Sequence, residues 1–237
     1  MKPWLNHFFF TLFPGKCIIC KALTNRHLDL CAGCQRGLPY NLNACWQCGL
    51  ESKTANDICE SCIKSPPPYS HCFGLFRYEP PIDILVSQFK TGHKLAVGRV
   101  LSILLARAYQ RNHIVTPTCW IPVPLHRRAL RSRGFNQAAE IAQVLTEYTK
   151  IPTLGKATRR MIDTSAQKQL NAAGRASNIH NAFDLNVDLT GQNVAIVDDV
   201  ITTTATVSEL TRILKENGVG DVQVICLART PANPSQL

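Results

Sequence analysis

Aromatic side chains are scarce in this 237-residue chain, at 7% for Phe, Trp and Tyr together. A surface built mainly from aromatic stacking platforms is therefore excluded. Long apolar runs are missing too. No stretch approaches the roughly 18–20 uninterrupted apolar residues of a membrane helix, so no membrane span is expected. The N-terminal run Trp4-Leu5-Asn6-His7-Phe8-Phe9-Phe10-Thr11-Leu12-Phe13 is short, is broken by Asn6 and His7, and has no small-residue cleavage site. Residues 1–16 read as a docking segment rather than a signal peptide, which predicts a soluble, cytoplasmic protein. Wholesale disorder is excluded by 45% hydrophobic against 18% charged residues. The length suits one large domain with a small module.

Acidic residues are the minority, 16 Asp and Glu against 26 Lys and Arg, for a net charge of +10. The imbalance is local. Residues 121–180 carry ten basic and three acidic side chains, whereas 181–237 carry three and seven. A basic segment facing an acidic one suggests a polyanion site, for nucleic acid or a phosphorylated small molecule. A solvated basic face without a ligand explains the charge equally well.

Cysteine is abundant. Eight of the eleven fall into four CxxC pairs, Cys17/Cys20, Cys31/Cys34, Cys45/Cys48 and Cys59/Cys62, whose first members are 14 residues apart. Without a secretion signal a disulfide scaffold is disfavoured. In a reducing compartment such knuckles form four-thiolate zinc sites, with iron–sulfur ligation as the competitor. About two zinc ions per chain are expected, both structural, because four thiolates leave no position open for substrate. Short connections favour sequential sites, Cys17/Cys20/Cys31/Cys34 and Cys45/Cys48/Cys59/Cys62, and an interleaved brace stays open. Cys119 and Cys226 read as small buried hydrophobes inside strands. Cys72 has no partner at metal-site spacing.

Ser65-Pro66-Pro67-Pro68-Tyr69-Ser70 is stiff and poor in backbone donors, so 65–72 reads as a linker between a 17–64 zinc module and a 73–237 domain. Beyond it, Val97, Val100, Leu101, Leu104, Leu105 and Ala108 repeat at helical spacing, as do Ala138, Ile141, Ala142 and Leu145. Cys119 to Val123 is a short apolar strand. Val194-Ala195-Ile196-Val197 has the near-continuous apolar character of a strand buried on both faces. A helix through Val207, Leu210, Ile213 and Leu214 then stops at Asn217-Gly218, and a strand follows at 222–227. Strand, helix, strand predicts an α/β parallel sheet.

The chemistry concentrates where that apolar strand ends in Asp198-Asp199 and a hydroxyl-rich turn, Thr202-Thr203-Thr204-Ala205-Thr206, opens the helix. Ligands of open α/β sheets gather at the carboxyl ends of strands. The turn offers free N–H groups, the positive end of the helix dipole and Thr hydroxyls, a cradle for phosphate. Paired carboxylates accept from sugar hydroxyls beside it. A phosphorylated ribose satisfies both halves.

This segment resembles the phosphoribosyl-pyrophosphate (PRPP) loop of type I phosphoribosyltransferases. The resemblance implies that Asp198 and Asp199 hold the ribose hydroxyls and act in catalysis, and that Thr202, Thr203, Thr204, Ala205 and Thr206 bind the 5′-phosphate. Thr204 departs from that pattern, which has Gly or another very small residue there. A side chain at this position is expected to crowd the turn and weaken the site.

Pro122-Val123-Pro124-Leu125-His126-Arg127-Arg128, Arg131 and Arg133-Gly134-Phe135-Asn136-Gln137 resemble the ComF/GntX group. Thr164, Gln167, Leu170, Arg175, Asn178 and Ala182-Phe183 do so too. The cysteine module extends that likeness from Cys17 to Arg229. Arg127, Arg128, Arg131 and Arg133 follow a strand end, where planar guanidinium forks suit a diphosphate or DNA phosphates. Residues 159–178, with Arg159, Arg160, Lys168 and Arg175, resemble the hood that closes over PRPP. The resemblance implies Mg²⁺ bound with PRPP, single-stranded DNA as a partner and contact with DNA-uptake machinery. It also implies a role in uptake or use of external DNA. The alternative it leaves is an active transferase moving phosphoribose to an unidentified acceptor.

Overall fold

A computed structural model describes residues 15–52, 57–91, 94–112, 115–161 and 182–231. The cysteine module begins with a small ribbon, β1 (Gly15–Lys16) paired antiparallel with β2 (Leu23–Thr24). Two one-turn helices follow, α1 (Ala32–Arg36) and α2 (Glu60–Lys64), each started by a cysteine at its N-cap, Cys31 and Cys59. The large unit contains β3 (His71–Arg77), α3 (Ile82–Thr91), α4 (Leu95–Arg111), β4 (Cys119–Pro122), α5 (Arg127–Arg133) and α6 (Gln137–Thr149). It continues through β5 (Thr158–Arg160), β6 (Phe183–Leu185), β7 (Asn193–Ile201), α7 (Ala205–Glu216) and β8 (Asp221–Arg229).

Four strands make one sheet in the order β3-β8-β7-β4, every pairing parallel. The alternation of β7 sorts its side chains between two cores. Ala195 and Val197 pack with α3, α4 and α6 through Phe89, Leu101, Leu105, Ile141 and Leu145. Val194 and Ile196 face the opposite way, onto Val207, Leu210 and Leu214 of α7. Helices on both faces explain why β7 and β8 read as nearly unbroken apolar runs. The expected α/β parallel sheet behind a cysteine-rich module is the architecture observed. The expected helices and strands coincide with α4, α6, α7, β4, β7 and β8, with β4 ending at Pro122, one residue before Val123.

β7 runs further than its apolar core suggests, through both aspartates to Ile201. The segment expected as linker is also shorter and better packed. Tyr69 is buried, the Ser70 backbone N–H donates to the Val222 carbonyl at 2.9 Å, and His71 and Cys72 already belong to β3. Pairing of β3 with β8 satisfies backbone groups that proline cannot, so the strand begins as soon as the proline run ends.

The module covers the exposed edge of β3. Asn41 N–H donates to the Leu75 carbonyl (2.9 Å), Arg77 N–H to Pro39 (2.8 Å) and Cys72 N–H to Trp46 (3.1 Å). An uncovered edge strand is a pairing and aggregation hazard, and these bonds close it. Cys17, Leu28, Leu30 and Leu38 join the same core as Leu75 and Phe76, so the module is packed onto the sheet. No helix among the described residues is long and apolar enough to cross a membrane.

Candidate functional site

The cysteines assemble sequentially. Cys17, Cys20, Cys31 and Cys34 form one group and Cys45, Cys48, Cys59 and Cys62 the other, with ligand atoms within 4.8 Å of one another in each. The interleaved alternative is ruled out. Zinc–sulfur bonds of about 2.3 Å in a tetrahedron require sulfur separations near 3.8 Å. Cys20 and Cys31 lie 3.8 Å apart and Cys48 and Cys59 3.7 Å apart, so both donor sets fit Zn²⁺. Burial pushes the Cys17 thiol up, but N–H groups of Cys31, Cys20 and Ile19 outweigh it and bring the thiol down to about 6. Cys45 is brought to about 7 against its burial in the same way, by N–H groups of Cys59 and Cys48. Each site thus contains a thiol held near its anionic form, as a metal ligand must be.

At the carboxyl end of the sheet, Asp198 and Asp199 occupy the last turn of β7's pleat, where their side chains leave on opposite faces. Asp199 is buried, and its Oδ2 lies 3.0 Å from Nζ of Lys90, at the end of α3. Asp198 is pushed up to about 7 by burial first and by the neighbouring Asp199 charge second; the Asp199 N–H, Lys90 and Arg160 pull the other way. The two adjacent carboxylates thus face one basic group from α3, Lys90, and one from β5, Arg160. Lys90 carries no local signal in the sequence, since a lysine ending an amphipathic helix reads as a dipole partner facing solvent. Only the packing of α3 on β7 reveals it.

Thr202 and Thr203 are exposed after β7, and Thr204 is the N-cap of α7 with φ −77° and ψ −4°. Its side chain makes no capping hydrogen bond, and the first turn of α7, including Ala205 and Thr206, carries no acid. The concern that Thr204 strains the turn is not supported in this conformation. Its backbone lies in the ordinary right-handed region, which every residue adopts.

β4 ends beside β7 with Pro122 opposite Val197, so the segment 123–137 emerges next to the carboxylate pair. Asn136 ties it down by donating to the Val123 carbonyl (3.0 Å) and capping α6. Arg127, Arg128 and Arg131 are exposed on α5. Arg133 differs, being half-buried and donating to Gln137 at 3.1 Å. Arg159 and Arg160 lie on β5, which pairs with β6. Arg159 is exposed, while Arg160 sits 5.5 Å above the Phe183 ring. Arg175, with Thr164, Gln167, Lys168, Leu170 and Asn178, lies outside the described residues. Cys119, Cys226 and Cys72 are buried, the first two as expected.

Residues 8–69 match the family model described as "Double zinc ribbon domain". Over 222 residues the chain is 34% identical to DNA utilization protein YhgH of Escherichia coli, covering 92% of this chain and 98% of that one. It is 35% identical over 230 residues to Competence protein F of Haemophilus influenzae, with the same coverages, 92% and 98%. The chain belongs to the ComF family. This chain carries a double zinc ribbon followed by a parallel sheet with helices on both faces, whose strand β7 bears the acidic pair. Among solved structures, a purine phosphoribosyltransferase from Pyrococcus horikoshii is 20% identical with a TM-score of 0.33, over 54% of this chain and 71% of that one.

Proposed function

We propose that this ComF-family protein binds PRPP with Mg²⁺ at the carboxyl end of its sheet and serves the uptake or use of external DNA. The observation that carries the ligand is the junction of β7 and α7. There the adjacent acid pair, with Lys90 on Asp199, an acid-free helix start and two exposed threonines lie side by side. The carboxylates would receive the ribose hydroxyls, and the N–H groups of 202–206 the 5′-phosphate. Lys90 and Arg160 lie where a diphosphate needs positive charge. Mg²⁺ suits phosphate and hydroxyl oxygens and would enter with the diphosphate, neutralising part of its charge.

The names of the relatives, DNA utilization protein and Competence protein F, support the biological half of this reading. Exposed Arg127, Arg128 and Arg131 offer a surface to single-stranded DNA beside the PRPP pocket. DNA-uptake proteins are natural partners in the same role, inside the cytoplasm. The second reading, transfer of phosphoribose to an acceptor, is favoured by the relaxed backbone at Thr204. In that case Asp198 and Asp199 would steady the ribose while positive charge develops at its anomeric carbon, and no residue would form a covalent bond.

The test is calorimetric titration of PRPP with Mg²⁺ into the whole protein and into Asp198→Asn/Asp199→Asn. Binding lost in the double variant supports the pocket. Absence of binding in the natural protein would remove PRPP and leave the DNA role to stand alone.

A further inference from the structure

Arg229, the last residue of β8, is only 6% exposed, yet no carboxylate pairs with it among the described residues. Its guanidinium spans two parts of the molecule that the sequence separates by about 150 positions. On one side Nε donates to the carbonyl of Cys48, a ligand of the second cysteine site, at 3.0 Å. On the other Nη1 donates to the carbonyls of Ile201 and Thr202, both at 2.9 Å, and to Thr230 at 3.3 Å. Room for this bridge comes from Gly74 on β3. A Cβ there would lie 3.3 Å from Cβ of Arg229 and 3.2 Å from Sγ of Cys226, tighter than side chains normally pack.

A buried guanidinium is stable only with compensating charge and filled hydrogen bonds. Carbonyls supply the bonds. With Zn²⁺ bound, the four thiolates of the second cysteine site would carry a net charge of −2, and Cys48, whose carbonyl Arg229 holds, is one of those ligands. The loop end of the bridge also has a direction. In a trans peptide the carbonyl and the following N–H point opposite ways. Holding the Ile201 and Thr202 carbonyls toward Arg229 therefore turns the N–H groups of Thr202 and Thr203 away from it, outward.

We propose that Arg229 is a positioning residue that couples the second zinc site to the loop 202–206. With the tetrathiolate intact, the guanidinium is neutralised and keeps two loop N–H groups presented to an anion. When the metal leaves, Cys48 shifts, the guanidinium loses its counter-charge and the loop is released. The ligand half of this rests on the PRPP reading above; the loop half does not.

Hydrogen–deuterium exchange of the full chain, read by mass spectrometry, tests it, with the buried strand segment 193–197 as an internal measure of folding. Arg229→Gln should speed loop exchange, read at its two hydrogen-bonded ends where the Thr230 amide donates to the Ile201 carbonyl and the Ser208 amide to the Thr204 carbonyl, about tenfold, with protection of 193–197 kept, because several bonds to a charged donor are lost. The same variant should release zinc from the second site faster to a chromogenic chelator, while release from the first site is unchanged. Stepwise zinc removal from the natural protein gives the second measurement. Loop exchange should follow loss of the second ion and ignore loss of the first. Unchanged loop exchange after the second ion leaves, or an equal response to the first, overturns the proposal, whether or not Arg229→Gln folds. A natural protein that does not bind Mg²⁺–PRPP would defeat the PRPP reading alone, because the exchange experiment uses no ligand. If PRPP does bind, Arg229→Gln should weaken it about tenfold, and unaltered affinity would defeat the ligand half.

Discussion

Replacing Asp198 by Asn should stabilise the protein at neutral pH while removing an acid of the proposed ligand site, and the stabilisation should depend on pH in a defined direction. Burial and the Asp199 carboxylate raise Asp198 from 3.8 to about 7. The folded state therefore holds a proton that the unfolded chain has already released across that interval. Stability falls as pH climbs from about 4 to 7 and levels off above, with a full difference of roughly 4 kcal/mol. Asparagine mimics the protonated form at every pH, so it escapes that loss. Its advantage over Asp should grow by roughly 2 kcal/mol between pH 5.5 and 8, a window that spares the zinc thiolates. Urea unfolding with added zinc, followed through the buried Trp120, measures this at each pH. An advantage that stays flat or shrinks as pH rises would mean that Lys90 and Arg160 already neutralise Asp198, and the reasoning would fail. The expected outcome is a binding residue retained against the interests of the fold.

Three more outcomes follow from the same geometry. Lys90→Met should weaken PRPP binding about tenfold and raise the proton affinity of Asp198 further, moving the pH dependence of binding upward; calorimetry across pH 6–8 that finds both unchanged would remove Lys90 from the site. Substituting Arg127, Arg128 and Arg131 together by Ala should reduce the salt slope of single-stranded DNA binding by about 2, at roughly 0.7 per lost phosphate contact. An unaltered slope would place DNA elsewhere. Gly98→Ala pushes a methyl group into the Phe89 ring, next to Lys90, and should cost about 1–3 kcal/mol of folding stability by denaturant titration; a change below about 0.5 kcal/mol would show that α3 and α4 are loosely packed.

The readable parts of this protein are those whose physics is local. CxxC knuckles aim thiolates by their own turn, so Cys17 through Cys62 declare two metal sites before any fold is known. A strand buried on both faces must be apolar along its length, so Val194 to Val197 announces a central strand. An acid pair and a threonine-rich turn between that strand and a helix locate the candidate pocket. What could not be read is what depends on distant segments meeting. The stitching of Asn41 and Trp46 to the edge of β3 and the early start of β3 at His71 arise from contacts across the chain, whereas the sequential pairing of the knuckles, favoured by their short connections, is the one observed. Lys90 looks like a solvent-facing lysine until α3 packs on β7, and Arg229 looks like the end of a strand until Gly74 leaves it a passage to Cys48. Sequence by itself determined the two four-cysteine groups, the parallel sheet and the place of the acid pair at a strand end, because short-range spacing and burial encode them. Tertiary structure alone decided which charges face the acid pair and what ties the zinc module to the loop, because a charge acts through space.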